Sequence, residues 1–232
     1  MKPCYQHGGI TIYHGDAQEI VPSLAKPGLL LTDPPWGINA NTDSSRFSPP
    51  ASGWWDNADR STQQHNEKGL IEGDQQPFDP SHLLSLKCPT ILWGGHCFAD
   101  RLPPSAGWLV WDKRKGIEDA NWPLSEGELA WTNVCKGVRF FRHRWMGLVR
   151  ESEQGEHHHP TQKPVALMKW CLLRYHKKGA VLDPYMGSGA TLVACKALGI
   201  PAIGIELKER HCGIAVHRLS QEVLPLSEPA NG

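Results

Sequence analysis

Residues 180–206 constrain the fold more than any other stretch of the chain. Ala180 to Leu182 is a short apolar run of strand type, and Asp183-Pro184-Tyr185-Met186-Gly187-Ser188-Gly189 is a tight glycine-rich turn. Ala190 to Leu198 has helical patterning stopped by Gly199, and Ala202 to Ile205 is a second apolar run that ends at Glu206. Strand, turn, helix and strand make a right-handed βαβ unit, because a right-twisted strand followed by a right-handed helix packs back onto its sheet only that way. The predicted class is therefore α/β, a Rossmann-like, mostly parallel twisted sheet with helices on both faces. Glycines at a strand end let a ligand approach the backbone, and a carboxylate nineteen positions after Gly187, at the tip of the next strand, accepts hydrogen bonds from ribose hydroxyls. An adenosine cofactor suits this turn. A dinucleotide suits it less, since a GxGxxG pattern begun at Gly187 needs a small residue at position 192, where Leu192 stands. Asp183 at the turn's entrance repels a pyrophosphate and favours a cation or an ammonium group.

The remaining chain supplies further strands around this unit. Gly9 to His14, Gly28 to Thr32, Thr90 to Trp93, Trp108 to Trp111, Glu128 to Thr132 and Gly137 to Phe141 read as strands. Pro164 to Tyr175 and Lys208 to about Gln221 read as helices, with Pro164 suited to the first turn. A length of 232 residues with 40% apolar and 21% charged side chains fits one domain across 1–232 with a sizeable core. Residues 10–150 form its first half and 157–221 its second. Residues 39–77 are a polar excursion, and 224–232 a frayed tail. No apolar run approaches the roughly 20 residues of a membrane span, and the N-terminus lacks the pattern of a secretory signal. The expected location is the cytoplasm.

Asp33-Pro34-Pro35-Trp36 closes the second strand. Two prolines stiffen this turn and withdraw their N–H groups, leaving the Asp33 carboxylate and the Pro34 carbonyl as acceptors. A planar amino group with two N–H donors fits such a pair, and Trp36 offers a flat face to its ring. Lys136 to Arg150 carries Arg139, Arg142, Arg144 and Arg150 among aromatics with no acidic residue, a candidate footprint for phosphates. Its alternative is a solvated strand edge guarded by charge. Residues 41–80 carry the opposite balance, a net of −4 from three basic and seven acidic side chains. No metal is expected: His157, His158 and His159 are adjacent, so on extended backbone they point to opposite faces, and no Cys or carboxylate stands at ligand spacing. Seven scattered cysteines read as reduced thiols.

Asp33 to Trp36, the turn Asp183 to Thr191 and the segment His159-Pro160-Thr161-Gln162-Lys163-Pro164 together resemble the signature of S-adenosylmethionine-dependent amino methyltransferases acting on DNA. Because the Asp33 turn precedes the glycine turn, the order resembles the circularly permuted β group. Ile91 to Gly95, Trp108 to Lys113 and Glu128 to Thr132 further resemble small phage and prophage adenine-N6 enzymes, and the likeness covers about positions 10 to 220. It implies S-adenosylmethionine as cofactor, double-stranded DNA as partner and 6-methyladenine as product, in a bacterial cell, with a phage or prophage source and restriction-modification as settings. Asp33, Pro34, Pro35 and Trp36 would hold the target amine. Asp183, Tyr185, Gly187, Ser188 and Gly189 would line the methionine end of the cofactor, Glu206 its ribose, Thr161 and Lys163 its carboxylate, and Asp16 its adenine. Trp36 stands where Tyr is commoner, which leaves adenine and cytosine both open, since each exposes an amino group on an aromatic ring. RNA, a glutamine amide, or a binding module without catalysis are the other readings. Asp33→Ala is expected to spare folding.

Overall fold

The computed structural model describes residues 2–39, 73–115, 125–146, 149–153 and 162–221. Thr161, the three histidines, the tail and most of the polar excursion lie outside them. The strands are β1 (Tyr5–His7), β2 (Ile10–His14), β3 (Leu29–Thr32), β4 (Thr90–Trp93), β5 (Gly107–Asp112), β6 (Gly127–Thr132), β7 (Gly137–Arg142), β8 (Trp145–Met146), β9 (Val149–Arg150), β10 (Val181–Asp183) and β11 (Ala202–Glu206). The helices are α1 (Ala17–Ile20), α2 (Ser81–Leu84), α3 (Val165–Tyr175), α4 (Ala190–Ala197) and α5 (Glu209–Ser220). Nine strands share one sheet in the order β1-β2-β11-β10-β3-β4-β6-β5-β7, and β8 and β9 form a separate hairpin. The five central strands β2, β11, β10, β3 and β4 are mutually parallel, whereas β6 runs antiparallel to both neighbours.

Period-2 alternation of apolar side chains explains why both faces of the sheet are covered. Leu29 and Leu31 enter a core beneath α3, α4 and α5, while Leu30 enters a second core with α1, α2, Phe78 and Phe98. Every residue of β3 is buried, as a central parallel strand requires. The sheet confirms the α/β class. β10 and β3 are neighbours, and the chain runs outward from them in opposite directions, from β10 across α4 to β11 and from β3 to β4. A crevice opens outside the carboxyl ends of such strands, and Asp33, Asp183 and Glu206 all stand there.

Two expectations need adjustment. Pro164 is the N-cap of α3 and not part of its first turn. β1, α1, α2 and the β8–β9 hairpin were not expected, since elements of two to four residues are too short to show a period. All seven cysteines are free thiols, four of them buried.

Candidate active site

Asp33 leaves the end of β3 into a chain of charges. Lys163 Nζ lies 2.5 Å from Asp33 Oδ2 and 3.0 Å from Glu128 Oε2, and Lys113 Nζ pairs with Glu128 Oε1. Lys163 is 5% exposed, so its ammonium sits almost wholly out of water. Burial pushes its pKa down, but the two carboxylates outweigh burial and hold it above the ordinary lysine value. Burial raises the Asp33 pKa against the pull of Lys163, while in Glu128 the two lysines overcome burial and lower it. Trp36 Nε1 donates to Asp33 Oδ1 at 3.1 Å, and Lys163 Nζ lies 5.1 Å from its ring centroid. Gly94 makes room for this indole: a Cβ there would stand 1.9 Å from Trp36 Nε1. One end of the turn is tethered as well, with Gly37 N donating to the buried Asp74 at 2.7 Å across the base of the excursion.

The glycine turn faces Asp33 across a cleft lined by Asp33, Lys163, Asp183, Tyr185 and Gly187 to Ser188 among others. Asp183 is buried, accepts from Thr32 Oγ1 at 2.6 Å and from Tyr185 N at 3.3 Å, and has its pKa pushed up by burial to about 6. Gly187 and Gly189 have φ of +51° and +80°, the left-handed region that disfavours other residues. A Cβ on Gly189 would stand 2.9 Å from Ala215 Cβ, whereas Gly187 faces open space. Glu206 accepts from Gly187 N at 3.0 Å and from Lys208 N at 2.9 Å, with His211 Nδ1 at 3.3 Å. Burial acts against its charge, but the His211 and backbone N–H contacts prevail and lower its pKa. Ser188 is held by Arg218, whose Nη1 donates to Ser188 O at 2.8 Å and whose Nη2 donates to Glu153 at 2.9 Å. Tyr185 Oη is 2.8 Å from His82 Nε2 and its ring meets Phe78 edge-on. Asp16 caps α1 through Gln18 N at 2.7 Å, and the neighbouring Gly15 N bonds the Glu206 carbonyl, which brings Asp16 to the same rim.

The structure thus gathers Asp33 to Trp36, Lys163, Asp183 to Gly189, Glu206 and Asp16 at one sheet edge. Three expectations change. Lys163, expected on the cofactor carboxylate, is paired with Asp33. Asp33→Ala, expected to spare folding, removes the nearer of the two carboxylates that hold this buried ammonium. The four arginines are not equivalent: Arg139 and Arg142 are exposed on the edge strand β7, while Arg144 donates to Lys115 O at 3.0 Å and Arg150 lies 4.2 Å from the Trp145 ring. Glu128, Arg218 and Glu153 were missed. Their signal was present for two of them: Glu128 is the one charged residue in the strand Gly127–Thr132, and Arg218 falls among the buried positions of α5.

Residues 108–217, just under half of the chain, match a family model described as DNA methylase. This chain resembles the N6/N4 DNA methylases. It is 40% identical over 137 residues to the type II methyltransferase M.HinfI of Haemophilus influenzae, covering 59% of this chain and 33% of that protein. The chain spans about a third of the length of the curated relatives that it matches at 35% identity or better. In fold it is similar to PvuII DNA methyltransferase (cytosine-N4-specific), with a TM-score of 0.61 at 13% identity over 96% of this chain and 90% of the other. The M1.HpyAVI–SAM complex gives a TM-score of 0.51 at 19% identity over 91% and 100%. At such identities the likeness establishes the fold, a Rossmann-like arrangement shared with DNA methyltransferases.

Proposed function

We propose that this chain transfers a methyl group from S-adenosylmethionine to the exocyclic N6 amino group of an adenine extruded from DNA. The observation that carries the reading is the meeting, in one cleft, of a stiff acceptor turn at Asp33 with a glycine cradle whose floor is the buried Asp183. The cradle fits the cofactor on its own terms: open space at Gly187 admits a ligand against the backbone, Asp183 suits an α-ammonium, and Glu206 at the tip of the next strand would accept from ribose hydroxyls. That cofactor supplies an electrophilic methyl on a sulfonium. The DNA methylase match and the HpyAVI–SAM likeness agree with this choice.

The target nitrogen is a poor nucleophile, because its lone pair is delocalised into the ring. Asp33 and the Pro34 carbonyl would accept its two N–H groups, which favours a pyramidal nitrogen with its lone pair free for attack. Trp36 keeps the Asp33 carboxylate aimed, through its indole N–H. Residues that hold the nitrogen, methyl and sulfur in line would supply much of the remaining acceleration. As the N–C bond forms the S–C bond would break to leave a neutral thioether, and the methylated nitrogen would then lose one proton to water. A paired base buries the amine, so extrusion is required, and it costs a few kcal/mol of stacking. Arg139 and Arg142, exposed with Phe140 on β7, would meet phosphates, while Arg144 and Arg150 brace the hairpin beside them.

The test is incubation of purified protein with isotopically labelled S-adenosylmethionine and unmethylated duplex DNA, followed by nucleoside analysis. Labelled 6-methyladenine is expected. A 4-methylcytosine product would move the base, in line with the N4-specific neighbour, and keep the chemistry; no labelled nucleoside from DNA would end the reading.

A further inference from the structure

Lys113, Glu128, Lys163 and Asp33 form a line of alternating charge that sums to zero and ends in the cleft. Its first two members have no part in the methyl-transfer reading. The sheet explains their position: β6 is antiparallel to β4, so its N-terminal residues lie at the carboxyl edge of the parallel strands, and Glu128 reaches the site from a strand whose other end is remote. Glu128 is 9% exposed and Lys113 16%, so neither is an ordinary surface charge. A structural ion pair would need only two partners, yet Lys163 is shared. Its shorter contact goes to Asp33, while Glu128 Oε2 stands 3.0 Å away on its other side.

We propose that Glu128 is a positioning residue that sets, through Lys163, how much negative charge Asp33 presents to the target amine, with Lys113 limiting its pull. The inference rests on the methyl-transfer reading. An ammonium between two carboxylates divides its attraction between them, so neutralising one strengthens its hold on the other. Without Glu128, Lys163 binds Asp33 alone and blunts it as an acceptor. Without Lys113, Glu128 draws Lys163 harder and leaves Asp33 more basic. The charged groups facing Asp33 are Lys163 from the segment before α3, Glu128 from β6 and Asp183 from β10, and the Cys97 thiol lies in the same field. Lys163 and Asp183 line the cleft, whereas Glu128 and its partner Lys113 are charges that can be changed without removing a lining group.

The experiment is the pH profile of kcat for full-length wild type, Glu128→Met, Glu128→Asp and Lys113→Met with labelled S-adenosylmethionine and duplex DNA. Glu128→Met should lower kcat at pH 8 by about tenfold and move the acidic limb down by roughly half a unit, with cofactor affinity within about twofold. Lys113→Met should move that limb up, and Glu128→Asp should restore the wild-type limb. General destabilisation cannot produce opposite shifts in two variants. Limbs that stay in place, or move the same way, would overturn the proposal. If Glu128→Met does not fold, Lys113→Met decides alone: an upward shift supports the inference and an unmoved limb overturns it. A wild type that methylates no DNA would fail first, and would take the methyl-transfer reading down with this one.

Discussion

The two walls of the cleft are built differently. The glycine-turn wall, proposed for the cofactor, is local: Asp183 and Gly187 line it, and Glu206 of the same βαβ unit accepts from the Gly187 N–H behind them. The opposite wall is assembled from distant segments: Asp33 follows β3 and Lys163 precedes α3, with Glu128 of β6 backing Lys163 from outside the cleft. A local cradle is held by backbone geometry and tolerates the loss of one side chain. An assembled wall is held by ion pairs between buried groups, where removing one partner strands the other. Substitutions on the second wall should therefore disturb activity and stability together, and those on the first should separate them.

The sharpest break in that comparison comes at Asp33. Asp33→Asn should lower turnover by about 10² to 10³, roughly 3 to 4 kcal/mol of transition-state stabilisation, with calorimetric cofactor affinity nearly unchanged. Asp33→Ala should also cost about 3 to 5 kcal/mol of folding stability in urea melts, because Lys163 loses its nearest partner. A fully stable Asp33→Ala protein would show that the assembled wall is no more coupled than the local one.

Asp183 gives an effect of similar size and opposite sign. Folding raises its pKa from 3.8 to about 6, so the folded state binds more protons than the unfolded state between those values, and stability falls as pH rises through that window. The full penalty, about 3 kcal/mol at 1.36 kcal/mol per unit, applies above pH 6. Asp183→Asn keeps an acceptor for Thr32, should be more stable than wild type above pH 6 with the gain vanishing toward pH 4, and should bind S-adenosylmethionine more weakly. Melts at several pH values read the first effect and calorimetry the second. Equal stability at all pH values would remove the buried-charge account of this wall.

Glu206→Ala should weaken cofactor binding by roughly 1 to 3 kcal/mol, the scale of a lost charged hydrogen bond. Unchanged affinity would mean that Glu206 serves only the Gly187 and Lys208 N–H groups it already holds. The smallest effect concerns β7. Replacing Arg139 and Arg142 with alanine should flatten the salt dependence of duplex affinity by about two units and leave melting unchanged. Replacing Arg144 and Arg150 should do the reverse, lowering melting with little change of slope.

The local parts of the protein were legible in the residues. The βαβ unit, the strand-end carboxylates Asp33 and Glu206, and the stiffness of the Asp33 turn follow from periodicity, glycine and proline, which act within a few residues. The two-sided burial of β3 was likewise readable, as a continuous apolar run. Tertiary structure alone decided that Lys163 faces Asp33, that Glu128 completes the pair, and that two of the four arginines are committed to holding a hairpin. An ion pair depends on which strand ends the sheet order makes neighbours and on separations of an ångström or less. Neither is encoded in the spacing of residues along a chain, so the glycine-turn wall was visible in the sequence and the charge line at Asp33 became visible only when the sheet had brought its segments together.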